Sequence, residues 1–390
     1  MALIAYAALA GLFLWWGRHR AADSTPRSAW HPYVVILLAV LASRLLLYAL
    51  SPLFAPSWDA ERSYLDNLSQ LWSGPDTEHY VRISQYGYEP GTAHENLIVF
   101  YPLFPLLMRL FNLVLPQPEL CGMVISLLCT LGACLLLYQL ALECGMSRYE
   151  GYAAVFFLLA YPFSVFLMSC YTEALFLLLT LSCALLLRRG KWLAAGMVGF
   201  LAALTRLQGA LVLVMAVYEF FRQHKGRLKA QDAPALGLLL IPAGFAVYLT
   251  LNQVFYGNAF AYLAYEKAAP WYQGTDWFFR NLTQHATMAT QYPGLAPLIY
   301  VPQIVLFFVV LGLMAYGMRQ RLRTSLLLYG AISLLISYTA SWLISGGRYV
   351  LAIFPLYLCL ARLSQRHRVI GGLVALGSVW LMIFYYVGFL

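Results

Sequence analysis

Charge is scarce in this 390-residue chain: 11% of its residues are Asp, Glu, Lys or Arg, while 62% are hydrophobic. A water-soluble globule carries about 45–50% apolar residues, so that class is excluded and an integral membrane protein is expected. Cysteine motifs are also lacking. The seven cysteines (Cys121, Cys129, Cys134, Cys144, Cys170, Cys183, Cys359) lie mostly inside apolar segments, with no Cys-x-x-Cys and no His at metal spacing. Neither a disulfide framework nor a zinc site is implied. Internal repeats and low-complexity linkers are absent from the sequence. A formal net charge of +9 would suit nucleic acid, but the basic residues fall in short clusters between apolar runs. That pattern orients a protein in a bilayer, and no nucleic-acid partner is expected. Residues 2–16 are apolar and followed by Arg18, His19 and Arg20, the reverse of signal-peptide order. They are expected to form a short retained span or a helix dipping into one leaflet, with no soluble domain at either end.

Lysines and arginines in short loops stay cytoplasmic, and about 20 apolar residues cross the hydrocarbon. The basic loops are Arg18–Arg27, Arg188–Lys191, Arg222–Lys229, Arg319–Arg323 and Arg362–Arg368. With all of these on one side, 31–50 exits outward and 51–97 lies outside. Segment 98–115, carrying Pro102 and Pro105, begins and ends outside as an interfacial or re-entrant element. Segments 121–142, 150–168 and 171–187 then run in, out and in. Residues 192–221 must go out and return in halves of about 15 residues, rising only about 22 Å against a hydrocarbon core of about 30 Å. Their turn, Thr205-Arg-Leu-Gln-Gly209, therefore lies below the outer surface, where polar backbone is tolerated only around a cavity. Segment 234–254 leads to a second outer loop, 255–296, rich in aromatics. Segments 297–317 and 325–343, the outer turn Ser345-Gly-Gly-Arg-Tyr349, a short return at 349–361 and a last span at 369–387 follow. The expectation is an all-α polytopic membrane protein, one domain over 1–390 with roughly 11–13 membrane segments, its outer loops at 51–119 and 255–296.

Against this background Trp72-Ser-Gly-Pro-Asp-Thr-Glu-His-Tyr-Val-Arg-Ile-Ser-Gln-Tyr-Gly-Tyr88 stands out, because Asp76, Glu78, His79 and Arg82 fall close together. Gly74 and Pro75 can open a helix and Gly87 can close it, which predicts a helix over 75–86. Asp76, His79, Tyr80 and Ile83 share its face, and Glu78 can pair with Arg82 one turn on. With Phe100-Tyr-Pro-Leu-Phe-Pro-Leu106, this stretch resembles the Trp-Asp-x-x-(His/Trp)-(Tyr/Phe)-x-x-Ile-Ala-x-x-Gly-Tyr and Phe-Phe-Pro-x-(Phe/Tyr)-Pro-Leu pattern of the PIG-V mannosyltransferases. Tyr161-Pro-Phe-Ser-Val-Phe-Leu-Met-Ser-Cys-Tyr-Thr-Glu-Ala-Leu-Phe176 and Leu201-Ala-Ala-Leu-Thr-Arg-Leu-Gln-Gly209 resemble the same family, and Gly347-Arg-Tyr-Val-Leu-Ala-Ile-Phe-Pro355 does so more weakly. The departures are Pro75 where Trp is usual, Ser84 for Ala, and Leu207 where Pro often follows the Arg.

The resemblance implies a GT-C-fold glycosyltransferase in a bacterial plasma membrane or the endoplasmic reticulum membrane. It would move mannose from a polyprenyl- or dolichyl-phosphate-linked donor to a glycolipid or glycan acceptor on the outer or lumenal face, with inversion. The family motif makes Asp76 the catalytic base. Such a transfer needs a base for the acceptor hydroxyl and cations for the charge growing on the departing phosphate. On spacing alone, Asp76 could simply complement a helix dipole, and Asp59, in Trp58-Asp59-Ala60-Glu61, is a rival carboxylate. The substrate-binding set expected around Asp76 is His79, Tyr80, Glu78, Arg206, Arg348, Arg44 and Glu173. His79 could hydrogen-bond Asp76 or touch the sugar, or else face water at the interface. Tyr86 and Tyr88 read as headgroup-level anchors. An ionisable group in hydrocarbon costs on the order of 2.5–3.5 kcal/mol, so Arg206 is expected to hold the phosphate, with a salt bridge to Glu173 as the competing account. Arg348, flanked by glycines, could hold an anion with nearby backbone amides. Arg44 could pair with Asp76 or snorkel outward, and Glu173 could serve only as a helix cap. No cofactor is expected, although Asp76, Glu78 and His79 offer ligands to a divalent metal. Membrane lipids are expected partners. A secondary transporter is the rival class, since short interrupted spans also build transport sites; matching halves and a buried acid pair near the midplane are missing. A membrane O-acyltransferase would need a His within a span.

Overall fold

Proline, glycine and short polar stretches cut the apolar chain into helices, and there is no β-strand among the described residues. The structure, a computed structural model, describes residues 11, 31–224, 230–341 and 345–389. The expected short segment at 2–16 and the basic cluster Arg18–Arg27 lie outside the described residues. In chain order the helices are α1 (His31–Phe54), α2 (Tyr64–Leu71), α3 (Thr77–Tyr86), α4 (Leu103–Phe111), α5 (Pro118–Glu143), α6 (Arg148–Leu159), α7 (Glu173–Arg188), α8 (Trp192–Ala203) and α9 (Val212–His224). They continue with α10 (Leu240–Tyr256), α11 (Ala261–Lys267), α12 (Phe278–Gln291), α13 (Val301–Arg319), α14 (Thr324–Ser337), α15 (Gly346–Leu351), α16 (Pro355–Arg366) and α17 (Arg368–Phe389).

Five helical stretches are long and apolar enough to cross a membrane by length and composition: His31–Phe54, Pro118–Glu143, Ala233–Tyr256, Ala296–Arg319 and Arg368–Phe389. The chain is an all-α membrane protein. The remaining expected segments are shorter, each for a local reason. Segment 150–168 stops as α6 at Leu159, two residues before Tyr161-Pro162, where a proline imposes extended backbone on its predecessor. Segment 171–187 becomes helical only at Glu173. The hairpin 192–221 divides into α8 and α9, of 12 and 13 residues, with Arg206 in extended backbone between them. At 1.5 Å per residue each arm rises about 18–20 Å, too little to cross. Segment 98–115 forms the nine-residue α4, which buries Phe104, Pro105 and Met108 and exposes Leu106 and Leu110. It does not cross either.

The core is built by α5 against α7, α7 against α8, α8 against α10, and α6 against α16. Local signals fix the ends of these helices: Pro118 opens α5, and Ser147 with Glu150 forms a capping box on α6. Small residues make the contact between α8 and the stretch leading into α10 close, as is usual where lipid tails give helices no hydrophobic reason to associate. A Cβ added at Gly196 would lie 1.8 Å from the carbonyl oxygen of Gly237.

The short helices α2 and α3 are tied to this core at Trp72, which is fully buried, donates from Nε1 to Ser51 Oγ at 3.1 Å and packs edge-on to Tyr48. The predicted helix 75–86 begins two residues later, as α3 at Thr77, and Gly87 at φ 78° closes it. The expected Glu78–Arg82 pair does not form. Arg82 instead reaches past the helix end to Glu89, at 2.7 and 3.1 Å, because the Gly87 turn folds that carboxylate back alongside it while Glu78 faces solvent.

Gly196→Ala is expected to destabilise the purified protein by roughly 1–3 kcal/mol, since the clash is with backbone that cannot rotate away. Gly377→Ala, with nothing within 4 Å of the added carbon, should leave the thermal midpoint unchanged or raise it. A midpoint for Gly196→Ala equal to wild type would show that the two helices do not meet there.

Candidate active site

Four polar side chains distant in sequence form one ion-pair chain. Glu173 opens α7, is fully buried, and accepts on Oε1 from Arg206 Nη1 and from Arg348 Nε, both at 2.8 Å. Arg348 Nη1 reaches on to Asp76 Oδ2 at 2.7 Å. Arg206 Nη1 also lies 3.3 Å from Thr172 Oγ1. The salt bridge weighed against a phosphate role for Arg206 is therefore present, and it engages only one of the guanidinium nitrogens. The other two have no hydrogen-bond partner among the described residues. A narrow cleft lined by Gln208, Tyr349, Ser333 and Ser337 opens beside them.

Aromatic rings wall the cations. Arg348 lies 4.4 Å from the Tyr171 ring centre and 4.9 Å from that of Phe166, and Arg206 lies 5.2 Å from that of Tyr349. A guanidinium over an aromatic face keeps a favourable charge–quadrupole contact where water is excluded. Gly74 gives Tyr171 its room: a Cβ there would meet the phenol oxygen at 2.2 Å. The same hydroxyl accepts from the Asp76 amide at 3.4 Å.

Asp76 occupies the N-cap position of α3 without capping it through its side chain. The dipole-complementing account therefore misses its principal partner, which is Arg348. Its side chain keeps 25% of its exposure, and Oδ1 has no partner among the described residues. His79 forms no hydrogen bond with Asp76. Its ring packs 5.1 Å from Phe100 and 6.0 Å from Trp271. Burial holds the imidazole below its usual range, while Asp76 and Glu78 pull it the other way. Tyr80 is buried among Phe100, Phe104 and Tyr171, and burial keeps its phenol protonated.

Some candidates fall elsewhere. Arg44 neither pairs with Asp76 nor snorkels; it is fully buried, donating to the Leu159 carbonyl at 3.2 Å and touching Met168 Sδ at 3.6 Å. Its span packs against α5 and α6, and that contact turns the side chain inward. Glu78 is exposed on the opposite side of α3 from Asp76, and Asp59 is engaged by Arg62 at 3.1 Å in an exposed turn. Glu173, read as a cap, is the shared counter-charge of two arginines. Among the described residues, no group of three or more His, Cys, Asp or Glu converges as a metal site would. Sequence reasoning missed Tyr171 and Trp271. Tyr171 lies inside the quoted motif two residues before Glu173, whereas Trp271 had no signal beyond an aromatic-rich outer loop.

Glu266, on α11 in that loop, is half-buried beside the stacked Tyr101–Tyr248 pair, and its carboxyl has no hydrogen bond or ion pair among the described residues. Burial pushes its carboxyl from 4.5 up to about 7. The raised value means that the fold favours the protonated form: the associated stability is complete below pH 4.5 and is lost as pH rises through about 7. Thermal midpoints followed from pH 4.5 to 8 should fall across that window in wild type and less in Glu266→Gln; parallel curves would reject the assignment. Glu173→Ala should cost about 3–5 kcal/mol, because two guanidiniums are left without their buried counter-charge. Glu173→Gln, which keeps an acceptor, should cost less, and an unchanged midpoint in Glu173→Ala would contradict the ion-pair chain.

Comparison with known proteins adds a relationship to this geometry. The chain is 30% identical over 219 residues to GPI alpha-1,6-mannosyltransferase 2 of Mus musculus, covering 50% of this chain and 43% of that protein. It is 31% identical over 231 residues to the protein of that name from Rattus norvegicus, covering 55% and 44%. Against the Cricetulus griseus protein it is 35% identical over 146 residues, covering 34% and 28%. The chain thus spans less than half the length of these curated relatives. No family model matches it. On these similarities the chain is an all-α membrane protein that resembles GPI alpha-1,6-mannosyltransferase 2 over about half its own length.

Proposed function

We propose that this protein is an inverting glycosyltransferase of GT-C type. It moves mannose from a polyprenyl- or dolichyl-phosphate-linked donor to a glycolipid or glycan acceptor at the outer or lumenal membrane face. The observation that carries the reading is the pairing of a partly exposed carboxylate, Asp76, with two walled-in arginines through one buried Glu173. The names of the relatives supply the sugar.

In this mechanism Asp76 Oδ1 takes the proton of the acceptor hydroxyl while Arg348 holds Oδ2 and fixes the carboxylate's orientation. The acceptor oxygen forms a bond to the anomeric carbon as the bond from that carbon to the phosphate oxygen breaks. The proton stays on Asp76, and the electron pair leaves with the lipid phosphate. Arg206, which lines the cleft with Gln208 and Tyr349, stabilises that growing negative charge. Single displacement turns a β-linked donor into an α-linked product. His79, tilted against Phe100 and edge-on to Trp271, forms part of the wall on the sugar side.

Transfer from synthetic polyprenyl-phosphate-mannose to a membrane glycolipid fraction tests this assignment. Asp76→Asn should lower the rate about 10²–10⁴-fold, the range lost with a general base, with the thermal midpoint recorded alongside because Arg348 loses a partner. Arg206→Gln should lower the rate more than it lowers donor binding. Equal rates for wild type and a folded Asp76→Asn would remove the base, and failure of the wild type to release mannose would remove the reaction.

A further inference from the structure

The other end of α7, about 22 Å from Glu173 at helical rise, carries a second charged cluster that the proposed reaction does not use. Arg188 and Arg189 end α7, Glu143 ends α5, Glu219 and Arg222 lie near the end of α9, and Arg323 precedes α14. Both carboxylates are already engaged. Glu143 accepts from Arg189 Nη2 at 2.6 Å and from Gln139 at 3.2 Å, and its backbone carbonyl accepts from Arg188. Glu219 accepts from Ser325 Oγ at 2.5 Å on one oxygen and from Arg222 at 2.7 Å on the other.

The arginines are unequally satisfied. Arg222 donates to Glu219 from both Nε, at 2.9 Å, and Nη2, at 2.7 Å, which leaves Nη1 over. Arg188 Nε stands 3.5 Å from Glu143 Oε2, and its Nε and Nη1 are buried without a hydrogen-bond partner among the described residues. The Arg323 guanidinium makes neither a hydrogen bond nor an ion pair among the described residues. Burial, and then the charges of Arg188 and Arg222, push its proton affinity down. Like charges held together with their counter-charges already engaged are unfavourable until an anion joins them. The cluster lies at the end of a membrane-length helix, Pro118–Glu143. Phe221, beside Arg222, is 54% exposed and Met318 is 61% exposed, as lipid-facing residues would be. Phosphates of lipid headgroups occupy that depth, and basic pockets between helix ends are where they bind.

We propose that Arg188, Arg222 and Arg323 bind a phosphate group carried by an anionic lipid headgroup, at the end of the helix bundle opposite Asp76. The site is separate from the proposed transfer reaction and does not depend on it.

The full chain in phosphatidylcholine nanodiscs, titrated with phosphatidylglycerol, tests this by counting bound lipids in native mass spectrometry and by following the thermal midpoint. Phosphatidylglycerol should be retained and should raise the midpoint, whereas inorganic phosphate at equal ionic strength should do neither. Arg323→Gln should weaken retention about five-fold, the equivalent of one arginine at a lipid surface. Arg368→Gln, an exposed arginine at the start of α17, should leave retention unchanged. Equal loss in the two variants would reduce the effect to general surface charge and overturn the site. Protection by inorganic phosphate alone would overturn the lipid assignment in favour of a free anion. Should Arg323→Gln fail to fold, wild type decides: no preference for phosphatidylglycerol over phosphatidylcholine overturns the proposal.

Discussion

A single buried carboxylate shared by two arginines governs the end of this molecule that carries Asp76. Removing an ion from water costs several kcal/mol even after the surroundings relax, and mutual attraction offsets that cost only when geometry and hydrogen bonding are good. Glu173 meets the condition with two 2.8 Å contacts from different directions. Those contacts join the start of α7, the turn between α8 and α9, and α15. Through Arg348 the segment carrying α3 is tied in as well, because Asp76 accepts from Nη1, one of the nitrogens that Glu173 leaves free.

The aromatic surroundings follow from that constraint. Guanidiniums held away from bulk water need a favourable contact on their faces, and Phe166, Tyr171 and Tyr349 provide it. Tyr171 in turn explains Gly74, whose missing side chain leaves space for the phenol oxygen, and the same oxygen steadies the Asp76 amide. Asp76 is thus positioned by Arg348 on its carboxylate and by Tyr171 at its amide, while Oδ1 has no partner among the described residues. The proposed transfer would draw on that arrangement, because a base already held in place needs no reorganisation when the proton moves.

Charge is distributed between two ends of the bundle with different balances. Around Glu173 and Asp76, two carboxylates face two arginines. At the far end of α7, basic residues from three of the clusters recognised in the sequence, Arg188–Lys191, Arg222–Lys229 and Arg319–Arg323, come together with Glu143 and Glu219. Arg362 joins the same general region by pairing with Glu150 at the start of α6. That grouping is what a common side of the membrane for these loops requires.

Much of this was legible before any coordinates, because a bilayer imposes few solutions on an apolar chain. Composition alone required helices. The spacing of basic clusters grouped the loops, and 30 residues between two of them were too few for two crossings, which gave the broken hairpin around Arg206. The motif residues 76, 173, 206 and 348 could be named from sequence, and a Glu173–Arg206 salt bridge was one of the alternatives it left, but the sharing of Glu173 by both arginines and the Arg348–Asp76 contact were not visible there. Glu173 looked like a cap and Glu78 looked like the partner of Arg82, since sequence spacing weighs neighbours one turn apart and is blind to residues a hundred or more positions away. The inward turn of Arg44 and the packing of Trp271 on His79 likewise depend on side chains from other helices arriving at the same point. The sequence by itself determined the class of protein, its helical texture and the identity of its charged residues, because solvent preference and helical period act locally. Only the tertiary structure decided which charges share a partner, because an ion pair out of water exists only where the whole bundle brings both ions together.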